Sequence, residues 1–166
     1  MRALIDTNVL ISYLLLSGEG GAIRTLIHAF EKGRFTMLLP EPLLQELIEA
    51  MRGKRRLSSR ISPQELEAFI ETLTDYAEKI GMIAGPIPKA TRDVKDDYLL
   101  AYALVGKADH LVIGDKDLLA LAAAMFLLGA LRHHAADQAR CLDVAGVTQL
   151  LGERFLERAR RRQDAT

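Results

Sequence analysis

The residues best placed to do chemistry in this sequence are acids at the ends of apolar runs. Asp6 directly follows the run Arg2-Ala-Leu-Ile5, and Asp115 closes the stretch Leu111-Val-Ile-Gly114. Both runs read as buried strands. In an open parallel sheet, ligands bind outside the carboxyl ends of the strands, so two acids at two such ends share a crevice if the strands are neighbours. Asp96 and Asp97 open a helical pattern after a loop, a position that projects a side chain into the same crevice. Asp117 is a rival to Asp115, which is preferred because it follows its strand more closely.

Clustered carboxylates repel one another. Two unit charges about 4 Å apart cost roughly 4 kcal/mol at an effective dielectric of about 20. Such a cluster persists if a cation neutralises it or if some carboxyls stay protonated. Oxygen donors without a His/Cys set suit Mg²⁺ or Mn²⁺ rather than zinc. These ions activate water and stabilise charge building on a phosphoryl group. The chemistry that follows is hydrolysis of a phosphodiester.

The elements that must position these acids can be read from periodicity. Strands are expected at 2–5, 35–39, 111–113 and 141–144, with a short one at 82–84. Helices are expected at 8–16, over the stretch bearing Ile23, Leu26, Ile27 and Phe30 until Gly33 stops it, and after Pro40 and Pro42 with Leu43, Leu44, Leu47, Ile48 and Met51 on the apolar face. Residues 53–60 read as a basic loop. Ser62-Pro-Gln-Glu65 is a capping box and should open a helix running to about Gly81. Further helices are expected at 96–105 and 118–131. Strands alternating with helices imply an α/β fold: a central parallel sheet of about four to five strands with helices on both faces.

Bulk properties narrow the setting. The 166 residues suit one domain, and 49% apolar content supports a sizeable core. Lys+Arg and Asp+Glu balance at 22 each. With no net charge, any nucleic-acid binding must come from local basic patches. A single cysteine, Cys141, excludes an internal disulfide and suits a reducing compartment. The apolar stretch 118–131 is too short to span a bilayer. A cytoplasmic protein without a membrane segment is expected.

Four segments, taken in order, resemble the PIN-domain family, in the VapC-like subgroup of toxins from toxin–antitoxin systems. Leu4-Ile-Asp-Thr-Asn-Val-Leu10 resembles the opening strand and its aspartate. Leu43-Leu-Gln-Glu-Leu-Ile48 resembles the helix bearing the second acid, which falls on Glu46; periodicity alone does not separate Glu46 from Glu49. Arg92-Asp-Val-Lys-Asp-Asp-Tyr-Leu-Leu-Ala-Tyr-Ala103 resembles the third motif and selects Asp97 over Asp96, while Ala108-Asp-His-Leu-Val-Ile-Gly-Asp-Lys-Asp-Leu118 resembles the fourth and gives Asp115. The resemblance covers residues 1–151, with 152–166 a basic helical tail of the same domain.

The resemblance implies a metal-dependent endoribonuclease. Asp6, Glu46, Asp97 and Asp115 would be catalytic, with Asp6, Asp97 and Asp115 holding Mg²⁺ or Mn²⁺. Thr7, Asn8, Asp96 and Asp117 would be auxiliary. It further implies an RNA substrate, cleavage to 5′-phosphate and 3′-hydroxyl ends, and a small antitoxin protein that occupies the active site. Arg92, Lys95 and Lys116 flank the acidic motifs and would border the cleft. Lys54, Arg55 and Arg56, with Arg52 and Arg60, form a second basic region that could hold an RNA backbone. No interleaved aromatics stand among these cations, so contact led by phosphates is expected.

Departures from the family pattern are Ile113 where Thr or Ser is common, Pro40 where Ser is common, and an insertion-like stretch at 127–142 with His133 and His134. The stretch 118–131, apolar nearly all round, is expected to support a homodimer. Alternative readings are a PIN-fold nuclease of RNA processing, a structure-specific DNA nuclease, a catalytically silent nucleic-acid-binding PIN module, and a phosphoacceptor receiver domain. The last should carry an acidic pair near its start, which this sequence lacks.

Overall fold

The computed structural model describes residues 1–16, 21–87, 94–114 and 140–142, with the side chains of 94–96 and 140–142 outside that description. Outside it too lie Arg92, Asp115, Lys116, Asp117, His133, His134, the stretch 118–131 and the tail 152–166.

Five strands form one parallel sheet: β1 (Arg2–Ile5), β2 (Thr36–Pro40), β3 (Glu78–Ile80), β4 (His110–Val112) and β5 (Arg140–Leu142). Their order is β3-β2-β1-β4-β5, with every pairing parallel. β1 is therefore central, and the chain turns to one side of it for β2 and to the other for β4. A sheet wound this way opens a crevice at the carboxyl ends of its two central strands. Those strands are β1 and β4, the two that the acids were expected to follow.

Around the sheet stand α1 (Thr7–Leu15), α2 (Ala22–Glu31), α3 (Glu41–Gly53), α4 (Arg55–Ser58), α5 (Pro63–Tyr76) and α6 (Val94–Val105). Leu4, Ile5, Leu38 and Leu111, at most 1% exposed, meet Leu10, Leu26, Leu47, Leu73 and Leu99 from the helices. Such near-continuous burial is what a parallel sheet covered by helices requires. Among the described residues no helix is long and apolar enough to cross a membrane.

Local chemistry sets the helix ends. The Ser62 hydroxyl accepts from the Glu65 N–H at 3.2 Å while the Glu65 carboxylate accepts from the Ser62 N–H at 2.8 Å, completing the expected capping box. Gly33, at φ 63°, ends α2 in the left-handed conformation expected of it.

Three expectations need correction. Residues 53–60 are not wholly loop, because α4 makes one turn there and is anchored by buried Leu57. α5 ends at Tyr76, not Gly81. The short strand lies at Glu78–Ile80 rather than 82–84, and Met82 is 66% exposed. As an edge strand with two exposed residues, β3 gives no apolar alternation to detect. It is fixed instead by pairing with β2 and by Arg2, whose guanidinium grips the Glu78 carboxylate through two bonds of 2.6 and 2.7 Å.

The end of α6 departs from the usual helix stop. Lys107, not Gly106, adopts the positive φ of 50°, with Ala108 N–H bonded to Ala103 C=O at 2.8 Å. Gly106 serves close approach: a β-carbon there would stand 2.6 Å from Ile80 Cδ1, 2.8 Å from Leu38 Cδ1 and 2.9 Å from the Tyr102 carbonyl.

Candidate active site

Asp6 occupies the first position past β1, and its N–H donates to the Val112 carbonyl of β4 at 2.9 Å. This bond continues the β1–β4 ladder one step beyond Ile5↔Val112, leaving Ile113 level with Asp6. The backbone of Asp6 has the extended conformation of a helix N-cap, φ −62° and ψ 143°, but its side chain makes no capping bond to α1. A carboxylate that only capped the helix would bond to an N–H of the first turn. Instead, Asp6 Oδ2 accepts from Asn8 Nδ2 at 3.3 Å. The carboxylate, only 5% exposed, is thus not engaged in capping α1.

A buried carboxylate costs free energy unless a partner or a cation compensates it. Asp97, in the first turn of α6, is likewise only 4% exposed. α6 packs against β1, the strand that delivers Asp6.

Glu46 comes from the middle of α3 and is gripped by two hydroxyls. Thr7 Oγ1 donates to Glu46 Oε2 at 2.9 Å, and the Tyr98 hydroxyl donates to the same oxygen in a short hydrogen bond. Thr7 is 1% exposed and stands directly after Asp6; Tyr98 stands directly after Asp97. Three acids from distant parts of the chain are thereby tied to one neighbourhood. Burial, together with the bond to the Glu46 carboxylate, raises the Tyr98 pKa far above the ordinary tyrosine range; the Thr7 hydroxyl pulls the other way, and the charges of Glu46 and Asp6 add to the rise. Tyr98 is therefore a permanent donor to Glu46 at physiological pH.

This arrangement of acids at the switch point of a parallel sheet coincides with a family match. A profile of the PIN domain matches residues 2–117. The chain belongs to the PIN domain family. No individual curated protein is similar enough to match it. PIN domains are in general nucleases, and they generally use divalent metal ions.

In this PIN domain the donor chemistry fits such an ion. The side chains gathered are carboxylates and hydroxyls, the oxygen ligands that hard divalent cations take. Among the described residues, no group of three or more His, Cys, Asp or Glu is assembled closely enough to hold a metal by itself. Asp115, the next acid in the expected set, lies outside the described residues. The chain is described up to Gly114, where a β-carbon would stand 3.8 Å from Val9 Cγ2 in the first turn of α1. The segment leading to Asp115 therefore runs past the helix that starts after Asp6.

The other expected residues fall as follows. Asp96 and Lys95 lie on α6, with their side chains outside the description. Thr7 and Asn8 both touch acids of the site. Ile113, in the place where the family often has a hydroxyl, is 1% exposed and belongs to the core of the PIN domain. Pro40 stands at the start of α3 and offers no side-chain cap. Lys54 and Arg56 line a groove beside the site, together with Arg60, whereas Arg55 does not.

Tyr98 was missed by sequence reasoning. Its only local signal was a hydroxyl-bearing ring beside Asp97 at the start of a largely apolar helix.

Proposed function

We propose that this PIN domain is a metal-dependent endoribonuclease that hydrolyses RNA phosphodiesters, and that it acts as the toxin of a toxin–antitoxin pair. The observation carrying this reading is the pairing of two deeply buried aspartates, Asp6 and Asp97, with a Glu46 carboxylate oriented by Thr7 and Tyr98.

Asp6, Asp97 and Asp115 would hold Mg²⁺ or Mn²⁺. When bound, the ion lowers the pKa of water and stabilises charge on the phosphoryl group. The chain's own residues do the rest. Asp6 and Asp97 present oxygens at fixed positions, because the β1–β4 ladder and the packing of α6 on β1 leave them little freedom. Glu46, held by two hydroxyls on Oε2, keeps one orientation and serves to accept a proton or orient water near the phosphorus. Asn8 restrains the Asp6 carboxylate through its bond to Oδ2. Attack in line on phosphorus would leave 5′-phosphate and 3′-hydroxyl ends.

Two assembly states accompany this proposal. The stretch 118–131 would join two copies of the chain, and a small antitoxin would cover the site. A purely monomeric mass by light scattering of folded protein at micromolar concentration would remove the first. Absence of growth arrest on expression in cells lacking the neighbouring genes would remove the second.

The decisive experiment is incubation of purified protein with a mixed RNA panel in Mg²⁺, Mn²⁺ or EDTA, beside an Asp6→Asn variant. Cleavage that requires metal and disappears in the variant is expected. Undiminished cleavage in EDTA or by Asp6→Asn would overturn the assignment.

A further inference from the structure

Beside the acids lies a groove of about 360 Å³, lined by Asn8, Ile11 and Leu15 of α1, by Leu57 and Arg56 of α4, and by Lys54 and Arg60 on either side of α4. That volume falls within the roughly 300–1,000 Å³ of small-ligand sites. Its floor is aliphatic, whereas three cations stand around it. Lys54, Arg56 and Arg60 are exposed, and among the described residues no carboxylate lies within ion-pairing distance of any of them. Cations gathered around a cleft focus a positive potential into it.

The groove also has a direction. Asn8 lines it and donates to Asp6, so one side chain borders both the basic groove and the acidic site. An anionic strand crossing the acidic crevice would be repelled there and held next door. The one-turn helix α4 creates this division: it turns Arg56 to the groove on the same turn that buries Leu57, and leaves Arg55 outside.

We infer that this groove binds one nucleotide of a single-stranded RNA, next to the phosphate that is cut, with Lys54, Arg56 and Arg60 on its phosphates and Ile11, Leu15 and Leu57 against its sugar and base. The inference rests on the nuclease reading for its substrate class. An aliphatic floor has no donors or acceptors with which to read base edges, so the subsite tolerates any base. It requires an unpaired nucleotide, because a base inside a duplex cannot reach the floor.

The test is binding of a fluorescent single-stranded RNA by anisotropy over a series of salt concentrations, in an Asp6→Asn background with the strand checked for integrity on a gel. Lys54→Gln/Arg56→Gln/Arg60→Gln is compared with a charge-matched control, Lys32→Gln/Lys79→Gln/Lys107→Gln, none of which lines the groove. The groove variant should bind at least tenfold more weakly, and its log K against log salt slope should shrink by about two, the value for three lost phosphate contacts on a single strand. The control should bind as the parent does, and a duplex of the same sequence should bind at least tenfold more weakly than the single strand. Equal losses in groove and control variants, equal binding of the duplex, or a parent that binds no RNA would each overturn the subsite. The nuclease reading fails separately. Cleavage by wild-type chain with RNA binding indifferent to the groove variant would sink the subsite alone; groove-dependent binding by a wild-type chain that never cleaves would sink the nuclease alone.

Discussion

Thr7 donates its hydroxyl to Glu46 at 2.9 Å across 39 positions of sequence, and so fastens the start of α1, just past the central strand, to the middle of α3. Tyr98, from α6, completes the same grip. The acid carried by α3 is therefore oriented by residues adjacent to the other two acids, Asp6 and Asp97.

Removing that grip should loosen Glu46 without emptying the site. Tyr98→Phe and Thr7→Val each delete one donor while keeping the shape of the side chain nearly intact. Each should cost about 1 kcal/mol of stability and lower the cleavage rate at saturating Mg²⁺ by about fivefold, the rate equivalent of about 1 kcal/mol. Cleavage rates over a Mg²⁺ titration check this, with the midpoint expected to stay in place. An unchanged rate in both variants would show that the grip serves the fold alone.

The buried aspartates should behave in the opposite way. Asp6→Asn and Asp97→Asn remove charge from an acidic, desolvated neighbourhood, so the melting temperature should hold or rise. Cleavage should fall by about 100-fold or more, beyond the ~10–100-fold of an outer partner. A variant that loses stability and activity in proportion would mark its aspartate as structural.

Two glutamates should make the fold acid-sensitive. The Arg2 guanidinium holds the Glu78 carboxyl below the ordinary value of 4.5, and the Ser62 N–H and hydroxyl do the same for Glu65. A depressed folded pKa means that the unfolded chain binds more protons in this window, so stability rises with pH there. The contribution is complete above pH 4.5 and is lost as pH falls through the lower folded values. Thermal melts from pH 7 to pH 3 should decline more steeply for wild type than for Glu78→Gln. Parallel profiles would remove Glu78 as a cause.

At the end of α6 two substitutions should have opposite signs. Gly106→Ala forces a β-carbon to within 2.9 Å of the Tyr102 carbonyl and against Ile80 and Leu38, and overpacking of this kind costs about 1–3 kcal/mol. Lys107→Gly relieves a left-handed residue and should stabilise by a net few tenths of a kcal/mol up to about 1 kcal/mol. Chemical denaturation measures both. A neutral Gly106→Ala would mean that Ile80 and Leu38 yield easily.

What the sequence made legible follows from how local each signal is. Asp6 stands out because it ends a buried strand; Asp96 and Asp97 stand out together at the opening of a helical pattern, and only the family resemblance parts them. The parallel sheet followed from alternating elements. Glu46 could not be separated from Glu49 by periodicity, since its partners Thr7 and Tyr98 are 39 and 52 residues away and no local pattern encodes such contacts. The groove was hidden for a related reason. A single turn with one buried leucine, Leu57, has too few residues to display a helical period, and without the turn there was no basis for parting Arg56 from Arg55. At the end of α6 the structure uses the missing β-carbon of Gly106 for packing and gives the positive φ to Lys107, neither of which a local pattern announces.

The clamp of Arg2 on Glu78 lies at the start of β1, and Asp6 lies just past its other end. A four-residue strand spans about 13 Å, so cohesion and chemistry sit on opposite rims of the sheet. A lineage carrying this scaffold can therefore surrender its acids one at a time, by drift or under selection against a harmful activity, and still inherit a well-folded protein. Silenced descendants would remain stable and would keep their cationic groove, open to recruitment for binding without chemistry.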